Sequence, residues 1–359
     1  MAKKSLRKTL PKELPELLAA AAGSNDYAAV HVALEACVLD AREIGKSGHT
    51  VMQMSGCTPA LARWLVARGV DVNAADTWGY TALHESARAR FRHGLPPAVL
   101  LELGADARRP NKYGQTPLHS AADGKHLAAV EVLLAHGVDL DARDERGLPP
   151  LEYALQRMSN IDLDAMVPVA RALLAAGAPV TPRAQEFVRK AAETFEFHRA
   201  GFNKDHVAAA AVAAATLCDM FGVAPPARRR MHDGTADIVA TAATWQQQHA
   251  ELWDLLVPSS GACATVQGEV IRIAGRVGDE LHRNGGINWD AGYNAMLAAF
   301  CAHVASGVAL APAEVAEAKA IAAQVRSRHE RTARLAELAV AWVARNPTPI
   351  ALPPPAYTR

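Results

Sequence analysis

Gly114-Gln115-Thr116-Pro117-Leu118-His119-Ser120-Ala121 is the stretch on which the reading of this chain turns. It sets in order a turn glycine, a helix-capping threonine, a proline at the first helical position and the start of an apolar helix face. The same register recurs at Gly48-His49-Thr50-Val51-Met52, at Gly79-Tyr80-Thr81-Ala82-Leu83-His84 and at Gly147-Leu148-Pro149-Pro150-Leu151. The four glycines stand 31, 35 and 33 residues apart. A near-constant period of this size marks a solenoid, in which each unit buries its apolar face by stacking on the next.

Outward from each rung the chain repeats one order. A polar hairpin comes first, with Asp or Asn three residues before the ladder glycine in Asp76-Thr77-Trp78-Gly79, Asn111-Lys112-Tyr113-Gly114 and Asp144-Glu145-Arg146-Gly147. A short helix, a turn and a second helix follow. The second helices share an ending, in Leu65-Val66-Ala67-Arg68-Gly69, Leu100-Leu101-Glu102-Leu103-Gly104, Leu133-Leu134-Ala135-His136-Gly137 and Leu173-Leu174-Ala175-Ala176-Gly177. The paired apolar residues bury against the adjacent unit, and the glycine supplies the left-handed cap that turns the chain into the next hairpin. Ahead of the first rung, Leu10–Ala22 and Asp26–Leu39 read as two capping helices, the second opened by Asp26.

These residues resemble the ankyrin repeat family, whose unit is a hairpin turn plus two antiparallel helices with a TPLHxA signature. The match is best at Thr116–Ala121 and covers roughly Asp40–Val180 in four recognisable units. Pro149 departs from the pattern in place of a capping threonine, and two units are lengthened between their helices, by residues 88–93 and 157–162. The resemblance implies a binding scaffold, and it implies that His84 and His119 hold neighbouring loops by hydrogen bonds instead of acting as catalysts or metal ligands. The hairpin tips carry Trp78, Arg108, Arg109, Lys112, Tyr113, Glu145 and Arg146, a mix of aromatic and arginine anchors that suits interface hot spots.

Composition narrows the rest. Half of the 359 residues are apolar and 21 % are charged, which is the balance of a globular chain, and the 5 % aromatic content beside abundant alanine favours helices. A net charge of +1 gives no field to draw nucleic acid or an anionic membrane, although Lys3, Lys4, Arg7, Lys8 and Lys12 make the start locally basic. Pro11, Lys12, Glu13, Pro15 and Glu16 interrupt any apolar leader within Met1–Ala22, and His206–Leu217 is too short an apolar run to span a membrane, so a cytoplasmic protein is expected. Cys37, Cys57, Cys218, Cys263 and Cys301 are odd in number and unpaired in sequence, which speaks for core thiols and against a disulfide framework or a structural zinc site.

After Gly177 the ladder fades, and Gln185–His198 and His206–Phe221 read as helices that close the solenoid. Pro225, Pro226 and Arg228-Arg229-Arg230 mark a linker, the arginines reading as a solvated or acid-paired turn with no aromatic interleaving for base stacking. In the region that follows, Thr265–Asn284 is one helix with an apolar stripe at Val266, Val270, Ile273, Val277 and Leu281. A second stripe carries Glu269, Arg272, Arg276, Glu280 and Arg283. It reads first as an ion-pair ladder on a solvated face; Gly268, Gly275 and Gly278 point to close packing against another helix, and a stripe buried and paired in the core of this region is the other reading. Met231-His232-Asp233-Gly234 lacks further metal ligands, and Gly285-Gly286 lacks the spacing of a phosphate loop. Trp289 is placed at the corner before a helix capped by Asn288 or Asp290. The second half resembles that of bacterial sequences that carry it joined to ankyrin repeats, and no activity attaches to that resemblance.

The expected protein is therefore all-α: a flexible basic tail over 1–9, an ankyrin solenoid with helical caps over 10–222, a linker over 223–240, a helical domain over 241–346 and an extended proline-rich tail over 347–359. The expected function is capture of another protein by a monomer with no cofactor, metal or catalytic residue, and with no nucleic-acid or membrane partner. The alternative is an enzyme or small-molecule site in the second half, around Gln267, Glu269, Arg272, Glu280, Arg283, Asn284 and Asp290. Convergence of those side chains on an open pocket would favour it, and mutual burial and pairing would damage it.

Overall fold

The structure, a computed structural model, describes residues 6–24, 26–45, 47–88 and 95–357. They form two compact units: one runs up to Glu193 and takes in Ala208–Pro225, the other holds Thr194–Val207 and the chain from Pro226 onward. The fold is all-α apart from one short strand pair, and no described helix is long and apolar enough to cross a membrane.

The first unit opens with that pair. Strand β1 (Arg7–Thr9) precedes helices α1 (Leu14–Ser24) and α2 (Ala28–Glu35), and lies parallel to β2 (Cys37–Arg42). Three expectations are corrected here. Residues 7–9 are paired instead of loose, and the helix expected through Leu39 stops at Glu35. The cap position is Tyr27 and not Asp26, which stands one residue earlier and takes the Ala28 N–H on its Oδ1 at 2.9 Å. The strands join segments some thirty residues apart, a pairing that local periodicity does not carry.

The repeats follow as a 3-10 turn at Val51–Gln53 with α3 (Pro59–Ala67), then α4 (Ala82–Arg88) with α5 (Pro97–Glu102), α6 (Pro117–Asp123) with α7 (Leu127–Ala135), and α8 (Pro150–Arg157) with α9 (Leu163–Ala175). Each second helix ends on a left-handed glycine. At Gly104 (φ 91°) and Gly177 (φ 104°) the next residue's N–H reaches back to Leu100 and Leu173, at 2.9 and 3.0 Å, and satisfies carbonyls left over at the helix end. Of the expected insertions, Arg88 ends α4 and residues 89–93 lie outside the described residues; the other continues α8 into a turn at Asn160–Asp162, opened by Ser159.

The ladder does not fade after Gly177. Thr181 caps α10 (Pro182–His198), its hydroxyl taking the Ala184 N–H at 3.0 Å, with proline again in the first turn. Helix α11 (Val207–Met220) follows, and Gln185 of this fifth rung donates to the Phe221 carbonyl just beyond it at 2.9 Å. Thr181-Pro182 keeps the cap and the proline of a rung without the TPLH spelling.

In the second unit, α13 (Val266–Arg283) is central and packs on α12 (Trp245–Leu256), α14 (Ala291–Val304) and α16 (Thr332–Arg345), with α15 (Pro312–Gln324) against α14 and α16. The whole apolar stripe of α13 is buried. Two of its glycines lie against α12 and the residues after it: a Cβ at Gly275 would stand 2.3 Å from the Trp253 ring, and one at Gly268 would stand 3.0 Å from the Cys263 side chain. Gly278 has nothing within 4 Å. Trp289 stacks on Tyr293, and Asp290 is the cap of α14.

The stretch 223–240 has no regular element, yet Ile238 is buried and its N–H donates to Pro347. Arg229 is half-buried, and no acidic side chain pairs with its guanidinium among the described residues. Its fork donates to the carbonyls of Phe197, Trp253, Asp254 and Val257, at 2.6 to 3.0 Å, and lies 4.1 Å from the Phe197 ring. The proline-rich segment is extended and tied down: Val266 N–H donates to Ile350 at 2.8 Å and Leu352 N–H to Ala264 at 3.0 Å.

Candidate functional site

In the first unit one position of every repeat stitches it to the next. His84 Nδ1 accepts the Thr81 N–H at 3.2 Å, which makes Nε2 the protonated nitrogen that donates to the Gln115 carbonyl at 3.0 Å. His119 repeats this between Thr116 and Leu148, at 3.1 and 3.0 Å. Gln53 fills the same place in the first repeat, accepting from Thr50 and donating to Tyr80. Glu152 fills it in the fourth, where it takes the Thr181 hydroxyl at 2.6 Å. Burial pushes the His84 pKa down to about 4 and that of His119 in the same direction, so both rings are neutral structural links at pH 7.

The hairpin tips are tied in series by backbone bonds. Thr77 N–H donates to Ser47, Lys112 N–H to Trp78 and Glu145 N–H to Tyr113, each at 2.9 Å. The ladder glycines are required there: a Cβ at Gly79 would stand 2.8 Å from the Lys112 nitrogen. Asp76, Asn111 and Asp144 are buried and hold the turns through their side-chain oxygens. The chain thereby lifts Trp78 and Tyr113 outward at 38 % and 42 % exposure, with Lys112, Glu145 and Arg146 beside them on the tips. Arg146 also reaches Gln156 at 3.3 Å. Arg109 is exposed, while Arg108 spends one guanidinium nitrogen on the Gly137 carbonyl at 2.7 Å.

A further surface of this unit, absent from the sequence reading, links its first helices. Asp123 at the end of α6 holds Arg157 at 2.9 Å and Arg88 at 3.6 Å. The two guanidiniums lie over the rings of Tyr153 and Tyr80, and Gln115 bridges the two phenols at 3.1 Å each. Burial raises both phenol pKa values. The available signal was register: Arg88 and Asp123 are separated by the same 35 residues as Gly79 and Gly114.

In the second unit the charged stripe of α13 is divided. Glu269 and Arg272 are buried and doubly hydrogen-bonded, at 2.6 and 2.9 Å, with the Tyr357 hydroxyl on Glu269 at 2.7 Å. Burial pushes the Glu269 pKa up, but the bonds from Arg272 and Tyr357 outweigh it and hold the carboxyl below its ordinary range. Gln267 clamps the extended tail, donating to Asn346 and Thr348 and accepting from Ile350. Glu280 is buried and receives Asn284, the backbone and side chain of Asn288, and Tyr293; the Asn284 bond leads in holding its carboxyl low. Arg283 is exposed beside Asp279 at 3.4 Å. The solvated-ladder expectation therefore fails for Glu269, Arg272 and Glu280, because neighbouring helices and the tail cover that face. Of the seven residues expected around a pocket, Arg272 and Asp290 border an open cavity of about 1080 Å³; the others do not line it.

Capped helix pairs, left-handed glycine stops and hairpin tips stitched from unit to unit define an ankyrin-repeat solenoid in the first unit. Residues 100–154 match the family model for ankyrin repeats in many copies. Neurogenic locus notch homolog protein 1 of Mus musculus is 30 % identical over an alignment of 138 residues that covers 34 % of this chain and 5 % of that protein. Rabankyrin-5 of Mus musculus is 33 % identical over 92 residues, 25 % of this chain and 8 % of its own length. Zygote-specific protein 3 of Chlamydomonas reinhardtii is 40 % identical over 83 residues, 23 % of this chain and 22 % of its own length. The chain thus spans only a small part of the relatives it matches. Ankyrin repeats are a protein–protein interaction domain, and that is the coarse function of this segment.

Proposed function

We propose that the ankyrin solenoid captures a partner protein through its hairpin tips and neutralises or regulates it, acting as a monomer in the cytoplasm. The observation that carries this is the pair Trp78 and Tyr113, large aromatic side chains held outward on neighbouring tips whose backbones are hydrogen-bonded to each other's loops. Exposed aromatics on a rigid frame lose little entropy on binding and are favoured as hot spots. Lys112, Arg109 and Arg146 give the same edge a basic rim around Glu145. The engagement of Glu269 by Arg272 and Tyr357, and of Glu280 by two asparagines, supports a binding role over an acid–base enzyme.

The test is a pull-down from native cytosol with mass spectrometry, comparing the unchanged chain with Trp78→Ala, Lys112→Ala and Tyr113→Ala combined. The backbone bonds of the tips do not depend on these side chains, so the unfolding midpoint stays in place while the partner is lost. Retention of every partner by a folded triple variant would remove the tips from the interface.

A further inference from the structure

The second unit holds an open cavity of about 1080 Å³, just above the usual size of small-molecule sites. Its wall includes Arg272 and Arg276 from α13, Ser259 and Ser260 from the loop after α12, Asp290 at the start of α14, and Tyr357. The two arginines lie one helical turn apart, a spacing at which like charges repel. Glu269 neutralises only one of them. Its two oxygens are taken by Arg272, at 2.6 and 2.9 Å, and the Tyr357 hydroxyl adds a third bond that fixes the carboxylate.

Arg276 is half-buried, and no acidic side chain pairs with it among the described residues. Asp290, an acid on the same wall, is engaged by the Gly292 and Tyr293 amides at 2.9 and 3.3 Å. The hydroxyls of Ser259 and Ser260 make no hydrogen bond among the described residues. The cavity therefore presents a guanidinium fork without a carboxylate partner and two uncommitted hydroxyls, beside a second arginine locked in place by a buried ion pair.

We infer that this cavity binds a small molecule through an oxyanion group, a phosphate or a carboxylate, with Arg276 as its anchor. The planar fork of arginine matches either group with two parallel hydrogen bonds. Arg272, held by Glu269, stands beside it on the wall, and the two serines supply neutral donors. The site stands apart from the reading of the ankyrin solenoid, since every residue named belongs to the second unit.

Titration calorimetry of the full chain with inorganic pyrophosphate and with citrate, against chloride at matched ionic strength, tests it. One of the two saturates with a Kd below about 1 mM. Saturation by pyrophosphate assigns a phosphate ligand, and saturation by citrate a carboxylate ligand. Arg276→Gln weakens binding by about tenfold or more. Arg283→Gln, at an exposed arginine outside the cavity, leaves it unchanged. Should Arg276→Gln not fold, Ser260→Ala at an exposed hydroxyl takes its place, with an expected weakening of about threefold. The inference is overturned if neither probe saturates, if the folded cavity variant binds as tightly as the unchanged chain, or if Arg283→Gln weakens binding as much as Arg276→Gln.

Discussion

Gln53 Nε2 donates to the Tyr80 carbonyl at 2.9 Å, and His84 Nε2 donates to the Gln115 carbonyl at 3.0 Å. Each residue stands three positions after a threonine, accepts that threonine's N–H, and reaches the residue that precedes the capping threonine of the next repeat. An amide and an imidazole thus perform one task, which requires an acceptor and a donor on opposite sides of a flat group.

His84→Gln should therefore fold with stability within about 1 kcal/mol of the unchanged chain at pH 7, whereas His84→Ala, which strands two buried backbone groups, should lose about 2–3 kcal/mol. The imidazole has a folded pKa of about 4 against an ordinary value of 6.5, so between those values the unfolded chain binds the proton that the folded chain refuses. Stability is full above about pH 6.5 and falls toward pH 4. Urea unfolding at pH 7 and pH 5 should show a smaller loss for His84→Gln than for the unchanged chain. An equal loss would assign the acid sensitivity to other groups.

Two glycines of α13 should respond to alanine with opposite signs. At Gly275 the new methyl meets the Trp253 ring, and displacing that ring should cost about 1–3 kcal/mol. At Gly278 the methyl meets nothing, and helix propensity should raise stability by about 0.5–1 kcal/mol. Thermal unfolding of the two single variants measures both.

Arg229→Ala should destabilise the second unit by about 2–4 kcal/mol, since four bonds to carbonyls and the contact with Phe197 are lost together. Arg229→Lys should recover little of this, because an ammonium cannot span four carbonyls. Arg228→Ala and Arg230→Ala, at exposed positions, should stay within about 0.5 kcal/mol. Hydrogen exchange of α12 amides would report the loss at its source.

Removing one partner of the Glu269–Arg272 pair leaves a buried charge without its counter-ion, so Arg272→Met alone should cost about 3–5 kcal/mol. Glu269→Leu with Arg272→Met should recover most of that, and Tyr357→Phe alone should cost about 1 kcal/mol. The Glu269 carboxyl is held below its ordinary range, so its share of stability is present above the ordinary carboxylate pKa and is lost as pH falls through the lowered one. Chemical unfolding of the three variants at neutral and acid pH tests each statement.

The ladder was legible because each demand of a repeat is local. A left-handed turn needs glycine, a helix start needs a threonine oxygen, and proline fits where no N–H is called for. Gln53 and Glu152 carry no such mark, because their place in the stitching is defined by geometry and not by residue type. Thr181 is hidden for a related reason, since its rung keeps the cap and the proline but drops the leucine and histidine that spell the signature. The pairing of residues 7–9 with 37–42 leaves no periodic mark.

From the sequence alone came the solenoid, its frame, its turn glycines and the outward side chains of its tips, all consequences of chemistry within a few residues. Tertiary structure decided the fate of the α13 charges. An i,i+3 ion pair has the same spacing whether water or protein faces it, and the cover over Glu269 and Arg272 includes Tyr357, which lies 88 positions beyond Glu269. Burial is a property of what arrives from far along the chain, and so it was the fold that separated paired charges from the arginine left facing the cavity.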